Sequence, residues 1–415
     1  MVRPPVDRWR APAWGGAAMQ SMRIGIACLV AGYALSQFYR AFLAVLAPVL
    51  EVEIGATKPD LAAASSLWFL TFAVMQLPVG WALDRIGPRR TAALLLGFFG
   101  AGGAAVFAAA QTPWHLSLAM GLIGVGCAPV LMASYYIFAR SFAPAVFGTL
   151  AGAMIGVGSL GNLAAALPLG AAVQAFGWRP TSLGLAVVTG LVALLIWRAV
   201  QDPPRVTAPT EAGVGMWSIL RSPGFVWVLP ILIVGYAPAA GVRGLWAGPY
   251  AGDVFGASAT EIGMVTLAMG VAMTVGTVLY GPADRLLGSR KWVIFAGNTV
   301  ALAALVMLWL APDAGLWQAT AALCALGLFG MAFPLMIAHG RAFFPPHLVG
   351  RGVTLLNLCS IGGVGVFQIL SGQVHQAALV AGASVAEAHA AVFGMFALAL
   401  AVGLLLYLPA RDRID

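Results

Sequence analysis

Two arginines stand where an arginine is expensive. Arg40 and Arg243 lie well inside runs of apolar residues, near 24–50 and 224–249. Placing an arginine at mid-bilayer costs about 2.5–3.5 kcal/mol on insertion scales, so a charge kept there is a candidate for function. On the first run Tyr33, Gln37 and Arg40 follow i, i+4, i+7 spacing and share one helical face. On the later run Tyr236 and Arg243 repeat that spacing, and Trp246 follows about one turn on. None of the fourteen acids falls in the middle of an apolar run. Two facing guanidinium groups without a buried carboxylate repel each other unless an anion sits between them. Their forked donors match carboxylate and phosphate oxygens two at a time. The pair therefore reads as the two jaws of an anion site. In the alternative reading each arginine bonds backbone carbonyls or snorkels outward to Glu51 or Asp253.

Other residues of suitable type are Trp68, Thr71 and Gln76 on the second run, and Tyr135 and Tyr136 on the fourth. Asn162 lies on the fifth, with Asn357 and Gln368 on the eleventh. Each type also serves as an interhelical packing or hydrogen-bonding residue. Gly148, Gly152 and Gly156 at four-residue spacing are expected to let helices approach closely. The four cysteines are scattered singly, without the spacing of a disulfide framework or metal cluster. No cofactor is implied, and no Ser/His/Asp, HExxH or P-loop arrangement that would suggest an enzyme.

The elements that must position these residues follow from composition. Of 415 residues 61% are hydrophobic and 9% charged, against about 25% charged in soluble domains. Mean hydropathy is +0.93, which excludes disorder and common soluble enzymes. A strand barrel alternates polar and apolar residues and would be less apolar. The expected fold class is all-α and polytopic. Twelve apolar runs lie near 24–50, 62–83, 91–111, 115–138, 146–174, 180–199, 224–249, 260–283, 291–311, 316–338, 348–372 and 387–409. The first is too long for a signal-peptide core, and Met1, Met19 and Met22 all remain open as the start. The polar stretch 201–222 divides the chain into six-span units, 1–200 and 223–415.

Sorting the basic residues with both termini inside puts 18 on the inner side and leaves only Lys58 and Arg179 outside. The positive-inside rule then predicts cytoplasmic termini in a plasma membrane, the inner one if the cell has two. The net charge of +8 reports topology and an anionic leaflet, not nucleic-acid binding. A monomer is expected.

The halves repeat at an offset of about 200. Gly32-Tyr33-Ala34 with Arg40 recurs as Gly235-Tyr236-Ala237 with Arg243, and Thr57…Asp60 as Ser258…Glu261, each a capping box. Asp84-Arg85 recurs as Asp284-Arg285, and Arg140…Pro144 as Arg341…Pro345. Two homologous bundles of the same orientation imply a cavity between them, opened to either side by rocking.

Gly80-Trp-Ala-Leu-Asp84-Arg85-Ile-Gly87-Pro-Arg89-Arg90 resembles the signature loop of the major facilitator superfamily, G-x-x-x-D-R-x-G-x-R-R. The segment from Gly281 through Asp284-Arg285 and Gly288 to Arg290-Lys291 is a second copy with one extra residue. The resemblance covers essentially the whole chain and implies a secondary transporter. It also implies that Asp84 with Arg140 or Arg85 latches the cytoplasmic side shut in the outward-open state, with Asp284 and Arg341 as the symmetric latch. Arginines in spans one and seven are similar to those of the organophosphate/phosphate antiporters and related organic-anion carriers.

With no mid-span acid, carboxylate-based proton coupling is disfavoured. His339, near the inner end of span ten, is the one histidine this reading places reasonably within a helix. Exchange of anions, or anion-driven facilitated transport, is the expected mode. Three rivals fit less well. A drug/proton antiporter would carry a different fifth-span motif than Gly158-Ser-Leu-Gly161-Asn162. A nitrate or nitrite carrier would have its arginines on spans two and eight. A copper importer would use thioethers such as Met269 and Met273.

Overall fold

The computed structural model describes residues 16–142, 144–203, 224–344 and 349–413, and all regular structure there is helical. Most of the expected central loop, 201–222, lies outside the described residues. So do Arg205, Arg221 and Pro345, as well as the surroundings of Gly148 and the side chain of Arg351.

We number the spans in chain order. The first bundle has α1 (Met22–Tyr39 and, after a 50° bend, Leu43–Ile54), α2 (Lys58–Arg85), α3 (Pro88–Ala108), α4 (Pro113–Ser141), α5 (Gly152–Phe176) and α6 (Trp178–Ala199). The second has α7 (Phe225–Phe255), α8 (Ala259–Leu287), α9 (Arg290–Leu310), α10 (Leu316–Arg341), α11 (Leu355–Val380) and α12 (Val385–Tyr407). Eleven are long and apolar enough to cross a membrane, and α1 makes the twelfth if its bent pieces count as one. The span expected at 348–372 runs on to Val380, about two turns further.

Local chemistry sets the boundaries. Thr57 accepts from the Asp60 N–H while the Asp60 carboxylate accepts from the Thr57 N–H at 2.9 Å; Ser258 and Glu261 do the same at 2.8 Å. These two boxes start α2 and α8, and a third, Ser384 with Glu387, starts α12. Just before the first two, Gly55 and Gly256 end the preceding helices with φ of 65° and 63°, a left-handed turn that glycine adopts without a Cβ clash.

The two spans that carry the arginines are both irregular. In α1 the α-helix breaks over residues 40–42. In α7 it is interrupted at Gly235–Tyr236 and widens to a π-helix over Val242–Trp246. Such widened turns redirect side chains and recur at functional sites. Helical periodicity does not reveal them.

The bundles meet through α2 on α11, α5 on α8 and α1 on α7. Ser66 Oγ donates to the Gly365 carbonyl at 2.7 Å, from α2 to α11. A Cβ added to Gly244 would stand 3.0 Å from the Arg40 carbonyl oxygen, and one at Gly248 would overlap the Ala44 carbonyl. These contacts lie on the half of the molecule away from the start of α1 and the end of α12. Gly152 and Gly156, two of the three glycines expected to permit close packing, are not the ones that do. A Cβ at Gly152 or Gly156 would meet nothing within 4 Å, whereas one at Gly158 would enter the Tyr33 ring and one at Gly161 the Ala34 backbone.

At the other end, each α2–α3 or α8–α9 turn is tied to the tail of its own bundle. Asp202, just past α6, accepts from the Arg89 N–H at 2.7 Å. Asp412, past α12, accepts from the N–H of Lys291 at 2.9 Å and of Arg290 at 3.2 Å. Each carboxylate thus sits on the N-terminus of α3 or α9, where unpaired donors and the helix dipole favour a negative charge. Gly87 (φ 102°) passes so close to Asp202 that a Cβ would lie 2.8 Å from its Oδ2.

Candidate functional site

A cavity of about 320 Å³ lies between the bundles. Seven of the polar residues singled out in the sequence line it: Tyr33, Gln37 and Arg40 from α1, Tyr135 from α4, Asn162 from α5, Tyr236 from α7 and Asn357 from α11. Much of the rest is apolar, including Met132, Ile155, Met273 and Phe333. Among the described residues Arg40 is the only charged group in the wall.

Arg40 sits where α1 breaks. Its guanidinium carbon lies 5.0 Å from the ring centroids of both Trp68 and Phe72 on α2, and those rings stack at 5.1 Å with an interplanar angle of 17°. The aromatic faces offset part of the desolvation of the cation and fix one side of it. Its Nε is buried without a hydrogen-bond partner, and no carboxylate among the described residues pairs with it. An aromatic-backed guanidinium in an otherwise neutral wall can take a ligand oxygen in charge-assisted hydrogen bonds.

Arg243 departs from the expected geometry. It is 1% exposed and is not part of the cavity wall. Its Nη2 donates to the backbone carbonyl of Asn162 at 2.9 Å, joining α7 to α5 across the seam. Its Nε and Nη1 have no partner among the described residues, nor does the Asn162 Oδ1. The two jaws are therefore not both in the cavity. Arg40 faces it and Arg243 lies behind Asn162, in the carbonyl-bonded arrangement named as the alternative. The π-helical turn puts Arg243 inside the seam, and spacing alone predicted it on the open face.

Other candidates are also elsewhere. Trp68 is fully buried behind Arg40. Trp246 donates to Ser371 Oγ at 2.8 Å, away from the cavity. Thr71 donates to the Gly121 carbonyl and so ties α2 to α4, as well as to the Leu67 carbonyl within α2, while Gln76 donates back to the Phe72 carbonyl of its own helix. Tyr136 lies under Arg140, 4.4 Å from ring centroid to guanidinium carbon. Gln368 is buried with its Nε2 3.4 Å from the Gly241 carbonyl. The cavity residues not foreseen, Ser159, Thr274 and Thr277, carry hydroxyls of a kind too common in membrane helices to signal a site. The methionine pair is split: Met269 is fully buried and Met273 reaches the wall.

In the signature loop Gly80, Asp84, Arg85 and Arg90 are exposed and Gly87 is buried. Arg140 Nη2 lies 3.9 Å from Asp84 Oδ1, a long ion pair within the first bundle. The second copy differs. Asp284 is buried and held by Arg290 Nε at 2.9 Å, not by Arg341, so the expected Asp284–Arg341 pair is not formed. Arg290 occupies the place of Arg89, whose side chain instead approaches Asp202 at 4.0 Å. Arg285 and Arg341 are exposed. His339 is buried and fully engaged, with Nε2 2.9 Å from the Arg411 carbonyl and Nδ1 2.6 Å from the Tyr407 hydroxyl. It is also not alone, because His375 on α11 and His389 on α12 lie within helices.

Twelve apolar spans in two like bundles around a central cavity define a membrane transport protein. The model of the Major Facilitator Superfamily matches residues 29–247 and again 244–414, and the chain belongs to that family. It is 26% identical over 174 residues to the uncharacterized transporter YybO of Bacillus subtilis (strain 168); the match spans 41% of this chain and 39% of that relative's length. Two solved structures share the fold. One is a bacterial homolog of the human lysosomal transporter Spinster in an inward-facing, occupied conformation (TM-score 0.74, 16% identity, 93% of this chain and 96% of that one). The other is a point mutant of the nucleoside transporter NupG (TM-score 0.74, 12% identity, 93% and 99%). Neither the fold nor these relatives support a narrower likeness to organophosphate carriers.

Proposed function

We propose that this secondary transporter moves a small organic anion through the cavity by alternating access, with Arg40 as the anion's ligand. The observation that carries this reading is the Arg40 guanidinium, the one charge in the wall among the described residues, backed by two aromatic rings and lacking a carboxylate partner there. Gln37, Asn162, Asn357 and the hydroxyls of Tyr33, Tyr135 and Tyr236 supply further polar contacts. A single cation amid methionine, isoleucine and phenylalanine side chains suits one carboxylate on an apolar body better than a multiply charged phosphate. A cationic drug would meet the same charge as repulsion.

Arg243 serves in this cycle as a clasp. Closing α7 on α5 spends one of its donors on the Asn162 carbonyl; opening that seam frees the guanidinium to join the anion. Exchange is the mode we assign. An empty cavity leaves Arg40 uncompensated, so reorientation without an anion is slow. The positive-inside count supports cytoplasmic termini, and the cavity then faces the cytoplasm, since the contacts between bundles lie at the opposite end.

Tracer counterflow in proteoliposomes tests the class. Monocarboxylates, dicarboxylates, organophosphates and nitrate are presented beside neutral and cationic hydrophobic compounds. Trans-stimulated uptake of a monocarboxylate is the expected result. Uptake confined to neutral or cationic compounds overturns the anion reading.

A further inference from the structure

At the end of the bundles opposite the chain termini, a polar group is buried that the cavity does not use. Lys58, at the start of α2, contacts Glu51 on α1 and Asp253 on α7, the latter at 2.9 Å. The same Asp253 Oδ2 lies 3.1 Å from His389 Nε2 on α12. His389 is 0% exposed and stands 4.9 Å, centroid to centroid, from His375 on α11, itself 2% exposed. Both ring nitrogens of His375 and Nδ1 of His389 have no hydrogen-bond partner among the described residues. Trp246 covers both rings, at 5.1 and 5.7 Å. Two packed imidazoles with three unpaired nitrogens are costly to bury, and their placement calls for a reason beyond packing.

The site straddles the seam between the bundles. Lys58 and Glu51 belong to the first bundle, and Asp253, His375 and His389 to the second. With Asp253 bound to Lys58 the group holds two carboxylates and one lysine. When the bundles part here, Lys58 leaves with Glu51, and Asp253 keeps only His389. We propose that Asp253, His389 and His375 form a proton-binding site in which a proton and Lys58 compete for the Asp253 carboxylate, so that closing this seam expels a proton. On closure the imidazolium loses its proton to water past the partly exposed Asp253 side chain, and Lys58 takes over as the counter-charge. The reorientation of the transporter is thereby linked to protons without any mid-membrane carboxylate.

The surrounding charges do not supply this role. Asp60, Glu261 and Glu387 are held in capping boxes. Glu53 accepts from Trp178, and Arg179 donates to the carbonyls of Ala108 and Ala110. Tyr250 donates to the Pro312 carbonyl next to Asp313. The charges of α9 and α10 (Arg290, Lys291, His339, Arg341) lie at the other end.

The test reads the seam directly and needs no transported solute, so it stands or falls apart from the anion reading. Spin labels at Val52→Cys and Val380→Cys, both exposed and on different bundles, report its opening by electron–electron distance, with Cys28, Cys127, Cys324 and Cys359 replaced. If the open state holds the proton about ten times more tightly, acidification raises the open-to-closed ratio by up to about tenfold. The long-distance population is expected to grow accordingly between about pH 8 and pH 5.5, the range over which imidazoles titrate. His389→Gln flattens the response, Lys58→Gln favours the long distance at every pH, and His339→Gln leaves the response as in the wild type. A wild-type distance that ignores pH overturns the proposal, as does a response that survives His375→Gln/His389→Gln or is abolished by His339→Gln. The wild-type and His339→Gln arms decide the matter even where the double variant does not fold.

Discussion

At the residue scale, two arginines that the sequence presents as equivalent differ in place: Arg40 lines the cavity and Arg243 is buried in the seam. Replacing Arg243 with Ala removes a clasp from the closed seam and leaves the Asn162 carbonyl unpaired, so its main effect falls on the rate of reorientation. Phe72→Ala with Trp68 intact removes one of the two rings against Arg40. The lost cation–π contact is worth about 0.5–2 kcal/mol, and solute affinity should fall by up to about thirtyfold, read as Kd on purified protein. Which arginine would face the cavity was not legible, because a helical wheel assumes an α-helix. The break at residues 40–42 and the π-helix at Val242–Trp246 rotate the two side chains differently. Tyr33 and Gln37, in the regular part of α1, line the cavity as their spacing predicts, and so does Tyr236 at the first interruption of α7. His375 and His389 carry no signal in the sequence, because they lie near polar span ends, where a histidine has no distinguishing pattern.

At the element scale, helix starts and stops were readable and the long-range caps were not. Thr57…Asp60 and Ser258…Glu261 are local, three residues apart, and the structure forms both boxes. Asp202 and Asp412 cap helices more than a hundred residues earlier in the chain, a relation no local spacing encodes. Burial pushes the Asp412 carboxyl up, but hydrogen bonds from Ser289 Oγ and the N–H groups of Lys291 and Arg290 outweigh it and hold the carboxyl below its ordinary value. A depressed carboxylate stabilises the fold above its ordinary value and loses that contribution as pH falls through the depressed one. Asp412→Asn keeps an acceptor oxygen but loses the negative charge at the N-terminus of α9, and at this exposed position it should cost about 0.3–1 kcal/mol at pH 7. Thermal unfolding in detergent should show the gap to wild type shrinking as the pH is lowered below about 4. Gly87→Ala places a Cβ at φ 102° and against Asp202, a strain of about 1–3 kcal/mol. The same unfolding measurement should show a lower Tm than for Gly152→Ala, where the added methyl meets nothing within 4 Å.

At the scale of the whole molecule, twelve spans and the doubled signature loop announced the fold, because hydrophobic length and a two-hundred-residue repeat survive irregularities of single turns. Which end is closed was not announced, since every conformation of a rocking pair shares one sequence. Ala62 on α2 and Gly372 on α11 meet across the closed seam, a Cβ at Gly372 falling 2.6 Å from the Ala62 Cβ. A relaxation of about 1 Å brings such a pair to disulfide geometry. Oxidised Ala62→Cys/Gly372→Cys should stop tracer exchange, and reduction should restore it. Asp84→Asn should slow exchange while leaving solute affinity unchanged, because Asp84 lies at the signature loop and outside the cavity wall. Arg40 ties these scales together, and its substitution is the most direct test. Equilibrium binding of the monocarboxylate selected by counterflow is measured on wild type, Arg40→Ala and Arg40→Lys. Loss of a charge-assisted hydrogen bond worth about 1.5–3 kcal/mol predicts at least tenfold weaker binding for Arg40→Ala, with Arg40→Lys between the two. Binding to Arg40→Ala as tight as to the wild type would contradict the account.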